Sequence, residues 1–276
     1  MNYQLIAIDM DGTLLTSDKR VLPSSTSAVA RAMAAGRSVA ICSGRSPKMI
    51  ELDRAAYEGV RHAICCNGTI LYDLAEHRVL SAEAFDHETI ERVVAAVGEV
   101  DAMLDVFSGS EMFCQTDQLA RMDHYLMGIY AGLYEATATP VDDVLATLLD
   151  PTTSVQKFIY HFADPRERDR ARHLVEGLPL ELAYSEEASL ELSPAGVTKG
   201  SGLLALADLL GVPHEATVAL GDADNDLPML AAAGLAVAMG NANESVLAAA
   251  DVVVADNDHD GVAEAIERFL LGGERA

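Results

Sequence analysis

Short apolar runs that end at polar residues and glycine recur at the start of the chain. Leu5–Ile8, Ser38–Cys42 and residues 63–66 have the length and the aliphatic content of strands buried on both faces. An alanine-rich stretch at residues 24–33, followed by Gly36, has the composition of a helix. This alternation predicts an α/β fold with a parallel sheet.

The middle of the chain follows a different pattern. Helix-like stretches at His87–Val97 and residues 165–174 alternate with strand-like pieces, among them residues 103–107 and 155–162. This block also holds most of the tyrosine and phenylalanine residues, which indicates a core of its own. We interpret residues 84–190 as an inserted α/β domain.

The first pattern returns after residue 190. The remaining predicted elements are strands at residues 216–220, 235–239 and 252–255 and helices at residues 202–210 and 262–271. The sequence therefore predicts a Rossmann-like, doubly wound parallel sheet formed by residues 1–83 and 191–276. Residues 84–190 would form an α/β cap inserted into it.

Composition narrows the class of protein. The chain has 276 residues, half of them hydrophobic, which suits two packed domains. Its formal net charge of −24 argues against nucleic-acid binding, because a phosphate backbone requires a basic face. No apolar stretch approaches the roughly 20 residues of a membrane helix, and the N-terminus lacks the features of a signal peptide. Four cysteines show no pairing pattern, so we expect a cytoplasmic protein in a reducing compartment.

Polar side chains follow the predicted core strands. Asp9 and Asp11 come after the first strand, Ser43 after the second, and Asp222 with Asp226 after a later one. In a parallel sheet these strand ends share one edge. Clustered carboxylates repel one another unless a cation holds them, and oxygen ligands with open water positions suit Mg²⁺. The sequence therefore predicts a magnesium site among the four aspartates.

The same edge predicts phosphoryl chemistry. Asp9 is the better nucleophile candidate, since an ionised carboxylate can accept a phosphoryl group as an aspartyl-phosphate. Asp11 is the candidate general acid for the leaving oxygen and, later, the base that activates water. The groups expected to hold the phosphoryl oxygens are Lys199, Ser43 and the amides near Gly12 and Gly44.

These residues also carry a family resemblance. The motifs, in chain order, are Asp9-Met10-Asp11-Gly12-Thr13, Ser43-Gly44-Arg45, Lys199 and Gly221-Asp222-x-x-Asn225-Asp226. They resemble the four motifs of the haloacid dehalogenase superfamily of phosphotransferases. Residues 192–200 and 237–242 further resemble its Cof-type branch, Mg²⁺-dependent phosphatases whose type C2B α/β cap is inserted between the second and third motifs.

The resemblance implies roles for individual residues. It implies that Asp9 is phosphorylated, that Asp11 acts as acid and base, and that Mg²⁺ binds Asp9, the Asp11 carbonyl and Asp222. The residues it places around the phosphoryl group and the metal are Ser43, Gly44, Lys199, Asn225, Asp226 and Asn67. The implied substrate is a small phosphorylated metabolite such as a sugar phosphate or nucleotide. The sequence specifies neither its leaving group nor the oligomeric state.

Each feature has an ordinary explanation when taken singly. Asp-x-Asp-Gly after a strand is most often a turn, Ser43 suits an N-cap, and Lys199 suits a solvated helix position. The ordered combination favours a phosphomonoester hydrolase. Two alternatives stay open at this stage: a phosphomutase or phosphotransferase with the same intermediate, and a phospho-aspartate signalling module.

Residues 256–267 match the EF-hand calcium-loop pattern. A strand-like segment precedes them where that motif requires a helix, and a helix is predicted from about residue 261. We therefore predict no calcium site there.

Overall fold

The computed structural model of the chain describes residues 2–184 and 186–272. Its strands are β1 (Leu5–Ile8), β2 (Ser38–Cys42), β3 (His62–Cys65), β4 (Ile70–Asp73), β5 (Arg78–Ala82), β6 (Ala102–Ser108), β7 (Glu111–Gln115), β8 (Ala138–Val141), β9 (Lys157–Phe162), β10 (Leu180–Ala183), β11 (Ser189–Pro194), β12 (Thr217–Gly221), β13 (Leu235–Ala238) and β14 (Val252–Val253). Its α-helices are α1 (Pro23–Ala34), α2 (Pro47–Leu52), α3 (His87–Val97), α4 (Thr116–Leu119), α5 (Ala131–Thr137), α6 (Val144–Leu149), α7 (Pro165–Val175), α8 (Lys199–Leu210), α9 (Leu227–Ala232), α10 (Glu244–Ala249) and α11 (Gly261–Ala265).

The first sheet has eight strands in the order β14-β13-β12-β1-β2-β3-β4-β5. The strands from β14 to β3 run parallel, and β4 then pairs antiparallel with β3. All four residues of β1 are fully buried, as expected for a strand covered on both faces. The predicted α/β class and Rossmann-like parallel core are confirmed.

Helices cover this sheet and fix the side chains at its edge. Leu5 and Ala7 of β1 share a hydrophobic cluster with Leu203 and Leu206 of α8. Helix α1 packs against β2 and α11. Because β12, β1, β2 and β3 are parallel neighbours, the loops that follow them lie side by side.

The second sheet has six strands in the order β10-β11-β9-β6-β7-β8, antiparallel except for the β7–β8 pair. Its hydrophobic cluster contains Val106, Phe158 and Phe162 from the strands together with Val93 of α3 and Val175 of α7. This sheet and its helices therefore have a core of their own.

The chain divides into two compact units, and the second comprises Ser46–Met49 and Ala82–Val197. The cap interpreted from the sequence ends at residue 190, whereas β11 continues the second sheet to Pro194. The reason is that Leu190 and Leu192 fill the core of that sheet. Among the described residues, no helix has both the length and the apolar character needed to cross a bilayer.

Several element ends differ by a few residues from the sequence predictions. Helix α8 begins at Lys199 and not at residue 202, because the Thr198 side chain accepts a hydrogen bond from the Ser201 amide and caps it. The last strand, predicted over residues 252–255, is reduced to Val252–Val253.

Candidate active site

The loop after β1 brings the first motif to the carboxyl edge of the first sheet. Asp9 directly follows β1, and its amide donates a hydrogen bond to the Leu220 carbonyl of β12. Gly12 has a φ of 83°, a left-handed conformation that suits glycine. A Cβ atom at Gly12 would lie 2.3 Å from Oδ2 of Asp222, so glycine is also required for space.

Lys199 links two of the predicted carboxylates. Its Nζ atom donates to Oδ1 of Asp9 at 2.5 Å and to Oδ1 of Asp226 at 2.7 Å. The Lys199 and Asp226 side chains are fully buried, and that of Asp9 is 8% exposed. In such a site an ammonium group and its carboxylates hold one another in fixed positions.

Asp226 also holds the loop that carries Asp222. Its Oδ2 atom accepts hydrogen bonds from the amides of Asp222 and Ala223. The Asp222 carboxylate accepts a hydrogen bond from Oγ1 of Thr13 at 2.7 Å. Asp226 therefore supports the site through both of its oxygens, while Thr13 orients Asp222.

The electrostatics of this cluster fit a divalent cation. Asp9, Asp222 and Asp226 offer carboxylate oxygens that all lie within 4.8 Å of one another. Burial and repulsion from Asp226 raise the pKa of Asp9 to about 8 despite the attraction of Lys199. Burial likewise raises the pKa of Asp222 to about 6. When all three carboxylates are ionised, they exceed the one ammonium group by two negative charges, and an all-oxygen donor set of this charge suits Mg²⁺.

The loops after β2 and β3 are joined by their backbones. The Ser43 carbonyl accepts a hydrogen bond from the Asn67 amide, and the Arg45 carbonyl accepts one from the Cys66 amide. Ser43 and Asn67 are buried, and Asn67 has a left-handed φ of 57°. A Cβ atom at Gly44 would lie 3.1 Å from Oδ1 of Asn67, so the two loops pack closely at that glycine.

The Asp11 side chain has different partners from the other aspartates. Arg45 binds it with two hydrogen bonds, from Nε at 3.1 Å and from Nη2 at 2.9 Å, and Lys19 donates a third at 2.8 Å. Burial alone would raise the pKa of Asp11, but Arg45 and Lys19 outweigh it and lower that pKa. In this arrangement Asp11 is an ionised carboxylate, the form of a base. The Asp11 carboxylate is not part of the acidic cluster formed by Asp9, Asp222 and Asp226.

The structure brings most of the predicted residues to one edge of the first sheet. They lie in the loops after β1, β2 and β12, except Lys199, which begins α8. These residues are Asp9, Asp11, Ser43, Gly44, Lys199, Asp222, Asn225 and Asp226. Asn225 is half-buried on the single helical turn Asp224–Asp226.

Three contributing residues were given no role from the sequence. Thr13 orients Asp222, and Lys19 binds Asp11. Asn241 donates from Nδ2 to the Gly12 carbonyl at 2.8 Å and so holds the first motif. Thr13 and Asn241 lie in segments that resemble the family motifs, so the sequence could have indicated them as site residues. Lys19 lies outside them.

The acidic side chains of residues 256–267 contact different parts of the structure. Asp258 accepts two hydrogen bonds from Ser17, while Glu267 pairs with Arg31 of α1. Asn257 donates to the Leu15 carbonyl at 2.9 Å. The carboxylates therefore have separate partners, and the segment holds the loop after β1.

Comparisons with known proteins agree with this arrangement. A family model for haloacid dehalogenase-like hydrolases matches residues 6–266. Pyridoxal phosphate phosphatase YbhA of Escherichia coli (strain K12) is 33% identical over 98% of this chain and 100% of its own length. Phosphatase YwpJ of Bacillus subtilis (strain 168) is 29% identical over 97% of this chain and 100% of its own.

Solved structures show the same fold. A haloacid dehalogenase-like hydrolase from B. subtilis superposes with a TM-score of 0.80 at 26% identity, covering 96% of this chain and 99% of that one. Since the family model spans most of the sequence and these relatives align over nearly their whole length, the chain belongs to the haloacid dehalogenase-like hydrolases, in their Cof-type phosphatase branch.

Proposed function

We propose that this protein is a Mg²⁺-dependent phosphomonoester hydrolase that works through an aspartyl-phosphate at Asp9. The observation that carries the proposal is the placement of Asp9. Lys199 holds its Oδ1 atom at 2.5 Å, while Oδ2 accepts no hydrogen bond from any of the described residues. One oxygen is therefore anchored and the other is available to attack phosphorus.

In the first step, Oδ2 of Asp9 attacks the phosphorus atom and the bond to the leaving oxygen breaks. Lys199 remains hydrogen-bonded to Oδ1 and orients the carboxylate. Ser43 and the amides of the Gly44 turn supply hydrogen bonds to the phosphoryl oxygens. We assign Asn225 to the same proposed phosphate-binding group. These groups stabilise charge that spreads over the equatorial oxygens in the transition state.

In the second step, water attacks the aspartyl-phosphate and the Asp9–phosphorus bond breaks. Asp11 accepts the proton of that water, which releases inorganic phosphate and restores Asp9. The proton held by Asp11 then passes to the leaving oxygen of the next substrate. Its three hydrogen bonds from Arg45 and Lys19 favour the ionised form that this base requires.

Mg²⁺ would be held by the carboxylates of Asp9 and Asp222 together with the Asp11 carbonyl. Asp226 supports the site through Lys199 and the amides of Asp222 and Ala223. When bound, the cation neutralises negative charge between the carboxylates and the phosphoryl group.

The proposed substrate class is a small phosphorylated metabolite. Pyridoxal phosphate heads the compounds to be tested, since the 33% identical relative is named a phosphatase for it. Sugar phosphates and nucleotides follow. We propose that the second unit, as the cap, selects the leaving group, and phosphate release over such a panel with Mg²⁺ present will identify it.

The Asp9→Asn variant tests the mechanism. We expect it to lose phosphate release by at least about 1,000-fold, because an amide is a poor nucleophile. Circular dichroism and thermal melting serve to show that the fold is kept. Acid-trapped phosphoprotein should form from labelled substrate with the parent protein and not with the variant. Full turnover by Asp9→Asn would refute the proposal.

A further inference from the structure

Asp11 lies at the centre of a chain of ion pairs that extends beyond the family motifs. The Arg45 guanidinium joins the Asp11 carboxylate to that of Asp53, which accepts a hydrogen bond from Nη1 at 3.0 Å. Lys19 binds Asp11 independently at 2.8 Å. Asp53 and Lys19 are thus on opposite ends of the same arrangement.

The backbone aims Lys19 at Asp11. Residues 16–20 form a tight turn in which the Thr16 amide donates to the Arg20 carbonyl and the Lys19 amide donates to the Thr16 carbonyl. Lys19 has a left-handed φ of 58°, unusual for a residue other than glycine. Bridges from Leu15 to Asp11 and to Val21 fold this turn back on the first motif. The strained backbone of Lys19 thus coincides with the position from which its ammonium group reaches Asp11.

Arg45 fixes the plane of the carboxylate. A guanidinium that donates from Nε and Nη2 to the two oxygens of Asp11 restrains rotation about its Cβ–Cγ bond. The same guanidinium is restrained in turn by Asp53, and its side chain is only 18% exposed. Removing the Asp53 carboxylate would leave Nη1 of Arg45 without this partner and would not alter Asp11 itself.

We propose that Lys19 and Asp53 are positioning residues that hold Asp11, directly and through Arg45, where it can act as the base for hydrolysis of the aspartyl-phosphate. The inference rests on the proposed function. In the step concerned, a water oxygen forms a bond to phosphorus, the Asp9–phosphorus bond breaks, and Asp11 takes the water proton. Neither Lys19 nor Asp53 touches the reacting atoms.

The test separates the two half-reactions with 4-nitrophenyl phosphate, whose leaving group needs little help from an acid. Lys19→Met and Asp53→Asn should each slow decay of the acid-trapped, labelled phosphoenzyme by about tenfold, a fraction of what a general base contributes. Formation of the phosphoenzyme should change little. In the steady state, kcat and KM should fall together while kcat/KM stays constant, with a larger burst of nitrophenolate.

The same turn offers matched controls. Arg20 and Asp18 form an exposed pair at 3.0 Å that is separate from Asp11. Arg20→Met and Asp18→Asn therefore alter the net charge as the test variants do and should leave both half-reactions unchanged. Lys19→Arg should restore the decay rate at least partly, since it restores a cation.

The outcomes distinguish this inference from the proposed function. Unchanged decay in both test variants, or an equal slowing in the controls, overturns the positioning roles. A fall in kcat/KM with a smaller burst also overturns them, because it indicates slower formation of the phosphoenzyme or loss of active protein and not slower hydrolysis. Turnover that persists in Asp9→Asn instead overturns the proposed function itself.

Discussion

At the scale of single residues, Lys199 is the cation on which the buried carboxylates depend. Burial by itself would lower its pKa, but Asp226 and Asp9 outweigh this and raise it, so Lys199 stays charged. Removing the partner of a buried carboxylate destabilises the folded protein far more than removing the partner of an exposed one. The ammonium group therefore stabilises the fold and, in the mechanism we propose, also orients Asp9.

We expect Lys199→Met to destabilise the metal-free protein by about 3–5 kcal/mol, as is typical when one partner of a buried ion pair is removed. Urea unfolding followed by circular dichroism measures this change. Arg20→Met, which removes an exposed cation, should change stability by less than about 1 kcal/mol. Equal effects of the two substitutions would contradict the role of Lys199.

Asp9 gives the metal-free protein a pH dependence of defined sign. Its pKa in the folded state, about 8, is above the ordinary value of 3.8, so the native state binds this proton more tightly than the unfolded state. The resulting stability is present below pH 4 and is lost as pH rises through 8, by up to about 1.4 kcal/mol per pH unit. Asp222 makes a similar contribution that is lost nearer pH 6.

Thermal melting should therefore show that Mg²⁺ raises the Tm more at pH 8 than at pH 6, because the cation replaces protons. The Asp9→Asn variant, which cannot ionise, should lose most of the metal-free change in Tm between pH 6 and 8. An equal Mg²⁺ effect at both pH values would be inconsistent with these shifts.

The sequence was sufficient to predict the candidate catalytic residues but not all of the side chains that hydrogen-bond to them. Asp9 and Lys199 could be singled out because a carboxylate after a buried strand and a lysine at a helix start are recognisable locally. The pairing of Lys19 with Asp11 depends on a left-handed turn at a lysine, which no residue preference predicts. The sequence indicated Asp11 as the general acid and later base, whereas its bonds to Arg45 and Lys19 were seen only in the structure.

At the scale of elements, the loop after β1 owes its shape to Gly12. The residue combines a left-handed φ of 83° with a close approach to the Asp222 carboxylate, so an added methyl group meets both strain and overlap. The loop after β1 and the loop after β12 are thereby fitted to each other. A change in one displaces the other.

Gly12→Ala should lower kcat/KM by about 100-fold, the cost of moving catalytic groups by roughly an ångström. Gly36→Ala is the matched control, because Gly36 has a φ of 76° but no atom of the described residues lies within 4 Å of its added Cβ. It should cost about 1 kcal/mol of stability from backbone strain and leave kcat/KM unchanged. Equal activity of the two variants would show that overlap with Asp222 is unimportant.

Elements were predictable where periodicity and length agreed. Strand β2 and helix α3 begin and end where the sequence predicted, since a buried apolar run and an amphipathic helix have distinct patterns. The antiparallel strand β4 was not predicted as such, because strand direction depends on the short turn after β3 and not on apolar content. Residues 191–194 were assigned to the first domain because the family resemblance begins there, although in the structure they belong to β11, which pairs with β9 and β10 of the second sheet.

At the scale of the whole molecule, a net charge of −24 opposes the approach of a phosphorylated substrate. The attraction must be local, and the Mg²⁺ proposed for the carboxylate cluster would supply it together with Lys199, Arg45 and Lys19 at one edge of the first sheet. Salt screens long-range repulsion more strongly than it screens contacts inside a buried cluster. The two effects can therefore be separated by ionic strength.

We expect kcat/KM for an anionic phosphomonoester to rise about two- to threefold between 0.01 and 0.15 M salt at saturating Mg²⁺, as the Debye length falls from about 30 to 8 Å. Measurements of initial rates test this, and kcat should change little. A decrease in kcat/KM would mean that the local cations dominate the approach of substrate.

The interleaved order of the first sheet has a consequence for synthesis of the chain. Strand β1 lies between β2 and β12, and Thr13 and Asp222 lie 209 positions apart. At a translation rate of about 5–20 residues per second, β1 waits roughly 10–40 s on the ribosome before β12 emerges. During that time one apolar strand edge of the nascent polypeptide is unpaired, and this is the segment we expect chaperones to shield.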